Sequence, residues 1–339
     1  MDQKLKNFLN ESARKIDPIL KELLQSYLEK RFYKLIGQQI SSGGKRLRPA
    51  LVLASGKMMG AREKDLLYPA TGVEILHNST LITDDIIDKS EVRRGRPTVW
   101  KKFGRSVAEC VAMDYAATVF LAANRSPYSQ EITEIYSRAF KTIWSGEILD
   151  ILFEQKGRED EPYIIKNRFK NVSLNSYYKM AGKKTAVLFQ GCCEIGGVCA
   201  RAGEKDLQTL SEYGYNLGMA FQIRDDILDI FGEEKDFGKK IGKDIKERKL
   251  GNIVIFYALK NLSPADRKKI FRILEKKEIG EREIKEGIAL IKKTPAHDQA
   301  FALGKKYITK AKNNLEKLPQ NNWNKILLSL TDFVIEREK

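Results

Sequence analysis

Apolar residues recur at three- and four-residue spacing through most of this chain, and nowhere do they alternate with polar ones over the length a half-buried strand needs. Ile19, Leu20, Leu23, Leu24 and Leu28 form one such stripe; Ile132, Ile135, Tyr136, Ala139 and Phe140 form another. A stripe of that period buries one side of a helix and leaves the other wet, so the pattern restricts the chain to helix packed on helix. The fold class it predicts is an all-α bundle. Helix starts are marked at Asp17-Pro18, Ser126-Pro127 and Ser263-Pro264, where a capping side chain precedes a proline at the first helical position. Residues 37–49, 94–98, 157–162 and 231–251 read as irregular.

The 339 residues show no compositional break, so one domain over 1–339 is expected. No run of about 18 apolar residues is free of charge. Residues 107–123 contain Glu109 and Asp114, and residues 185–200 contain Glu194, so no membrane span is expected. The charged amphipathic start lacks the apolar stretch of a secretory signal and points to the cytoplasm. Cys110, Cys192, Cys193 and Cys199 have no paired C-x-x-C spacing, and two histidines leave a zinc site little to build on. The four thiols read as reduced core residues.

A formal net charge of +16 calls for nucleic acid, an anionic membrane surface or an anionic substrate. Much of the excess, as in Arg267-Lys268-Lys269 and Lys305-Lys306, is spaced like wet helix faces. No zinc finger, basic zipper or RNA-recognition signature accompanies it, so no nucleic-acid partner is expected.

Against this basic background two acidic motifs stand out. Asp84-Asp85-Ile86-Ile87-Asp88 recurs as Asp225-Asp226-Ile227-Leu228-Asp229, with its carboxylates at the same offsets. On a helix, residues i and i+4 stack and i+1 lies beside them, so each copy gathers three carboxylates near one surface. Three such charges repel one another, and a hard divalent ion such as magnesium, shared with a phosphate, is their natural compensation. Two copies on facing helices would grip a diphosphate from both sides.

The basic segments nearby suit an anion. Gly43-Gly44-Lys45-Arg46-Leu47-Arg48-Pro49 sets three cations beside two flexible residues, and Arg93-Arg94-Gly95-Arg96-Pro97 follows the first acidic motif closely. Lys183-Lys184-Thr185 reads equally as a solvated helix start or as an anion site at the positive end of a helix. Gln222 precedes Asp225 by three residues on roughly the same face. Lys239, Lys243, Asp244 and Lys249 fall where a lid would lie.

Taken in order, GGKRLRP, His77, DDIID, RRG, Gly146-Glu147, Lys184-Thr185, FQIRDDILD and FGKKIGKDI resemble the all-trans isoprenyl diphosphate synthases over most of the chain. The resemblance implies an isoprenoid-synthase-like helical bundle around a deep central cavity, usually a homodimer, with about three Mg2+ per active site. It implies that an allylic diphosphate, such as dimethylallyl, geranyl, farnesyl or geranylgeranyl diphosphate, is elongated by head-to-tail condensation with isopentenyl diphosphate. Carried over residue by residue, Asp84, Asp85, Asp88, Asp225, Asp226 and Asp229 would bind metal, while Arg93, Lys184, Gln222, Lys239 and Lys249 would hold the allylic diphosphate. Lys45, Arg48, His77 and Arg94 would bind isopentenyl diphosphate, and Thr185, the Lys184 carbonyl and Gln222 would face the allylic cation. The seven-residue offset of His77 from Asp84 favours that role over a core histidine.

By the same resemblance, Thr80, Ser79, Leu76 and Val73 line the tunnel for the growing tail. Small residues at the first two positions predict a product of geranylgeranyl length or longer, with a lean to five or six isoprene units and a floor at Leu76, Val73, Met113 or Phe120. Transient contact with a membrane surface would serve product release. Thr83, Met113 and Asp150 depart from the family pattern, Asp150 adding a carboxylate that could tune metal affinity. Rival readings are a class I terpene cyclase or head-to-head synthase, disfavoured by GGKRLRP and Arg94, and a regulatory subunit of a heteromeric synthase, disfavoured by two intact acidic motifs.

Overall fold

A computed structural model describes residues 2–232 and 241–337. Its helices are α1 Gln3–Gln25, α2 Tyr33–Ser41, α3 Leu47–Met58, α4 Glu63–Ile87, α5 Val99–Phe103, α6 Arg105–Asn124, α7 Ser129–Leu152, α8 Pro162–Asn167, α9 Leu174–Ala181, α10 Val187–Cys199 and α11 Glu204–Phe231. They continue with α12 Lys243–Lys246, α13 Ile253–Asn261, α14 Pro264–Leu274, α15 Glu281–Lys292, α16 Ala296–Leu315 and α17 Asn322–Glu336. Among the described residues the named strands are β1 Val92–Arg93 and β2 Arg96–Pro97, a hairpin two residues long on each side. The all-α expectation holds.

The chain divides into two compact units, the first built from Met1–Phe140, Leu188–Tyr215 and Ala311–Phe333, the second from Lys141–Val187, Asn216–Lys310 and Val334–Lys339.

In the first unit α4 packs along α6 and α3, with α1 laid over all three. Leu9, Ser12, Ile16, Leu20 and Leu23 continue one buried face of α1 straight through Pro18. That burial overrides the proline as a helix start: Pro18 lies inside α1, and the Asp17 side chain pairs with Arg46. Pro69, inside α4, has no N–H to offer the Asp65 carbonyl, and the Cys199 thiol takes up that oxygen. The Ser126 hydroxyl accepts from the Tyr128 N–H, but the helix begins only at Ser129. Residues 37–41 are helical too, so the irregular part of the basic segment is 42–46.

Helix α6 is long and apolar enough to cross a membrane by length and composition alone, although Glu109 and Asp114 interrupt it. Its Ala108, Val111, Ala112, Tyr115, Thr118 and Val119 are buried. Met113 and Phe120 are 71% and 51% exposed, and Cys110 is exposed as well. Neither large side chain therefore floors an interior tunnel of this unit, and Cys110 is no core thiol, whereas Cys192, Cys193 and Cys199 are buried.

In the second unit Phe153, Tyr177, Ile227, Ile230, Ile253 and Val254 are buried with at most 1% exposure. Asn252 caps α13 by accepting from the Val254 and Ile255 amides, and Ser263 caps α14 by accepting from the Asp266 amide, as the sequence predicts for Ser263-Pro264.

Candidate active site

In the first unit the acidic motif occupies the last turn of α4, with Asp88 as its C-cap. The free carbonyls there are the negative end of the helix dipole, so three carboxylates add to a potential already unfavourable to them. Asp85 is buried and held in a fork by Arg93, whose Nε donates at 3.0 and 2.9 Å and whose Nη2 donates at 2.7 Å. Asp84 and Asp88 are half-buried. Arg93 gets its position from the hairpin: Arg94 and Gly95 both take positive φ, 52° and 74°, which a two-residue turn of this twist requires. The Arg94 guanidinium donates to the Gly43 carbonyl, which brings the two basic segments together.

Within GGKRLRP the three cations do not converge. Arg46 is 5% exposed and pairs inward, its Nε donating to Asp17 at 2.7 Å and its Nη1 to Glu74 at 2.9 Å. Lys45 is exposed, with its ammonium 5.1 Å from the Phe333 ring centroid. Arg48 meets His77 Nε2 at 3.0 Å and lies over the Phe189 ring at 4.8 Å. Burial lowers the proton affinity of His77 well below that of an ordinary imidazole, and the charges of Arg48, Arg94, Arg93 and Arg46 lower it further. His77 is thus neutral at pH 7 inside a cationic cluster, which is an environment for an anion.

Along α4, Val73, Leu76, Ser79 and Thr80 are all buried. Ser79 Oγ donates to the Ala112 carbonyl of α6 at 2.9 Å, and Thr83 Oγ1 donates back to the Ser79 carbonyl at 3.2 Å.

In the second unit Lys183, Lys184 and Thr185 form a π-helical turn, Gly182–Ala186, directly after α9. They do not open a helix, so the dipole argument made from the sequence lapses. A Cβ on Gly146 would come within 2.3 Å of the Lys184 amide nitrogen; glycine there lets α7 touch this turn. Lys184 Nζ consequently lies 2.6 Å from Glu147 and 2.6 Å from Asp150. Burial alone would raise the Asp150 carboxyl, but Lys184 and Lys249 overcome it and hold it down at about 2. Asp150 is therefore already neutralised by two lysines. Lys249 is 5% exposed and pairs with Asp150 and Glu247 at 3.0 Å each, in a bridge between Glu154 and Lys249. It is a buried residue and not part of an exposed lid; Lys239 lies outside the described residues.

A chain of hydrogen bonds leads from that turn to the second acidic motif. Thr185 Oγ1 donates to Gln222 Oε1 at 2.6 Å, and Gln222 Nε2 donates to Asp226 Oδ1 at 2.8 Å. Asp226 Oδ2 accepts from the Tyr177 hydroxyl at 2.9 Å and the Ile253 amide at 3.0 Å. Asp229 accepts from the amides of Lys243 and Asp244 at 2.9 and 3.1 Å. Asp225 is half-exposed and accepts from Arg337 at 2.6 Å. Burial, then the charge of Asp244, raises the proton affinity of Asp226 and Asp229 well above that of ordinary carboxyls. The two copies thus differ in burial, and among the described residues no three Asp, Glu, His or Cys side chains already surround a common point.

The donor set still fits magnesium. Each motif offers carboxylate oxygens near the negative end of a long helix, and burial disfavours the charged form of Asp226 and Asp229 despite their hydrogen-bond donors, which a bound cation would reverse. The sequence singles out the aspartates, Lys184, Gln222 and His77 as candidates, but not their partners Tyr177, Asn252, Glu74 and Arg337. Nothing in their spacing marks them, since Arg337 lies 112 residues from Asp225.

Residues 29–291 match the polyprenyl synthetase family. The geranylgeranyl diphosphate synthase of Sulfolobus acidocaldarius is 31% identical over 341 residues, covering 98% of each chain. Component 2 of the heptaprenyl diphosphate synthase of Bacillus subtilis is 30% identical over 338 residues, covering 98% of this chain and 90% of that one. A crystal structure of a polyprenyl synthase from Caulobacter crescentus, complexed with calcium and isoprenyl diphosphate, superposes with a TM-score of 0.88 at 29% identity, covering 99% of this chain and 97% of the other.

Proposed function

This chain belongs to the polyprenyl synthetase family, and on that premise we propose how its residues divide the work of a prenyltransferase that extends an allylic diphosphate with isopentenyl diphosphate. The observation that carries the division is the neutral His77 bonded to Arg48 within a group of arginines: cations clustered on a neutral imidazole suit the substrate whose diphosphate is retained. Lys45, Arg48, His77 and Arg94 bind isopentenyl diphosphate.

Asp84, Asp85, Asp88, Asp225, Asp226 and Asp229 are the magnesium-binding carboxylates. Magnesium held by these carboxylates would supply charge neutralisation to the allylic diphosphate as a leaving group. Arg93 fixes Asp85 and lends its charge to the same leaving group, as do Lys184 and Lys239. Gln222, oriented by Thr185 and Asp226, turns a dipole to the allylic cation without offering a strong nucleophile. Lys249 acts at one remove, through the Asp150 carboxylate it shares with Lys184. The isopentenyl double bond attacks the cation, and the proton then lost goes to the departing pyrophosphate, since no side chain of the motifs is an obvious base.

The tail follows Thr80, Ser79, Leu76 and Val73, and the small Ser79 and Thr80 give a product of geranylgeranyl length or longer, with a lean to five or six units. The chain forms a homodimer in the cytoplasm through the exposed Met113 and Phe120 face of α6. Its basic surface makes brief contact with membrane on product release. The Bacillus subtilis relative, named as a component, supports a second reading in which this chain pairs with an unlike subunit.

The test is turnover of labelled isopentenyl diphosphate by purified protein with each short allylic primer. Asp84→Ala is expected to abolish it while the fold persists, and undiminished turnover would refute the metal role. Asp85→Ala is a poorer probe, because it also strips the half-buried Arg93 of its forked partner and so costs stability by itself.

A further inference from the structure

Arg46 is the one cation of GGKRLRP that turns away from solvent, and it does so from a strained backbone. Its φ of 49° and ψ of 37° are left-handed, a conformation that residues with a Cβ adopt only when their surroundings hold them there. The hold is visible: Asp17 grips Nε at 2.7 Å and Glu74 grips Nη1 at 2.9 Å. Glu74 is itself 3% exposed and oriented by Asn78, whose amide donates to Glu74 Oε1 at 3.1 Å; Gln39 in turn donates to Asn78 at 3.4 Å. Arg46 also starts α3, its carbonyl accepting from the Ala50 amide at 3.0 Å.

Two contacts therefore clamp the start of α3 to α4. Arg46 meets Glu74, and two residues later Arg48 meets His77, three residues on from Glu74. The first contact is sealed from water. The second is half-buried and lies among the groups assigned to isopentenyl diphosphate.

We propose that the Arg46–Glu74 ion pair is the positioning element of the isopentenyl diphosphate site, holding the left-handed turn that sets Arg48 beside His77 and fixes the backbone from which Lys45 projects. This rests on the assignment of Lys45, Arg48 and His77 made above. Neither Arg46 nor Glu74 touches substrate; their effect passes through the neighbours of Arg46. Misplacing a charge by an ångström weakens one diphosphate site and leaves a separate one intact.

Glu74→Gln is expected to raise KM for isopentenyl diphosphate about ten-fold, with KM for the allylic substrate and kcat each within about three-fold. Glu74→Asp, which keeps the charge, restores part of the loss. A folded Glu74→Gln protein whose two KM values stay put, or rise together, overturns the proposal. Arg48→Ala separates this from failure of the site assignment: if it leaves KM for isopentenyl diphosphate unchanged, the assignment itself is wrong, and if it raises that KM while Glu74→Gln does not, only the positioning role falls. Should Glu74→Gln fail to fold, the double variant Arg46→Met with Glu74→Leu, which leaves no buried charge, carries the test. It is expected to melt near the parent and show the same selective rise in KM. Normal KM in that variant, or failure of both to fold, would make the pair a stability element and end the proposal.

Discussion

Arg337 donates to Asp225 at 2.6 Å while its guanidinium lies 3.7 Å from the centroid of the Phe221 ring, which ties the residue after α17 to the first aspartate of the second acidic motif. The contact offsets part of the charge that magnesium would otherwise meet. Arg337→Ala is expected to lower the magnesium concentration for half-maximal turnover by about 1.4- to five-fold, the range set by a half-exposed pair worth roughly 0.2–1 kcal/mol. A magnesium titration of both proteins checks this, and an unchanged midpoint would show that Asp225 binds no ion.

Tyr177 is fully buried and its hydroxyl donates to Asp226. Tyr177→Phe keeps the ring and removes one of the donors to that carboxylate. The expected loss is about 1–3 kcal/mol of stability, with kcat reduced as Asp226 and Gln222 lose their fixed orientation. Denaturant unfolding and steady-state kinetics read the two effects separately.

Ser79 is 1% exposed and donates to the Ala112 carbonyl, so α4 and α6 are close at that point. Ser79→Phe is expected to shorten the main product and to cost about 1–3 kcal/mol through overpacking. Product chromatography decides: an unshortened product means the tail runs elsewhere.

His77 gives stability a pH dependence of known sign. Its folded proton affinity lies below the ordinary imidazole value, chiefly through burial and then through Arg48, so the fold holds the neutral form. Above about pH 6.5 the folded and unfolded chains are both neutral and His77 contributes no slope. Below it the unfolded chain takes a proton that the folded one refuses. Stability then falls with pH by up to about 1.4 kcal/mol per unit until the folded group titrates. Asp226 and Asp229, whose folded proton affinities are raised, contribute with the opposite sign, so the His77 slope is read as the difference between the parent and His77→Gln in urea unfolding at pH 5 to 7.

Periodicity alone was enough to specify helices, because burying a stripe of 3.6-residue period on α1 or α7 needs no knowledge of the partner surface. The offsets within each acidic motif likewise fixed which carboxylates share a helix face, and Ser263 before Pro264 fixed a cap. Such features depend on residues within one or two turns of each other. Punctuation failed where distant burial outweighed it, at Pro18, where the buried stripe of α1 runs on through the proline. Only tertiary structure decided which charges face inward. Arg46 reads in sequence like Lys45 and Arg48, yet Asp17 and Glu74 from other helices bury it; Lys249 reads like a lid residue, yet Asp150 holds it inside. A charged side chain goes where its desolvation is compensated, and the compensating group lies 28 residues away for Arg46 and 112 for Asp225, beyond the reach of any local pattern.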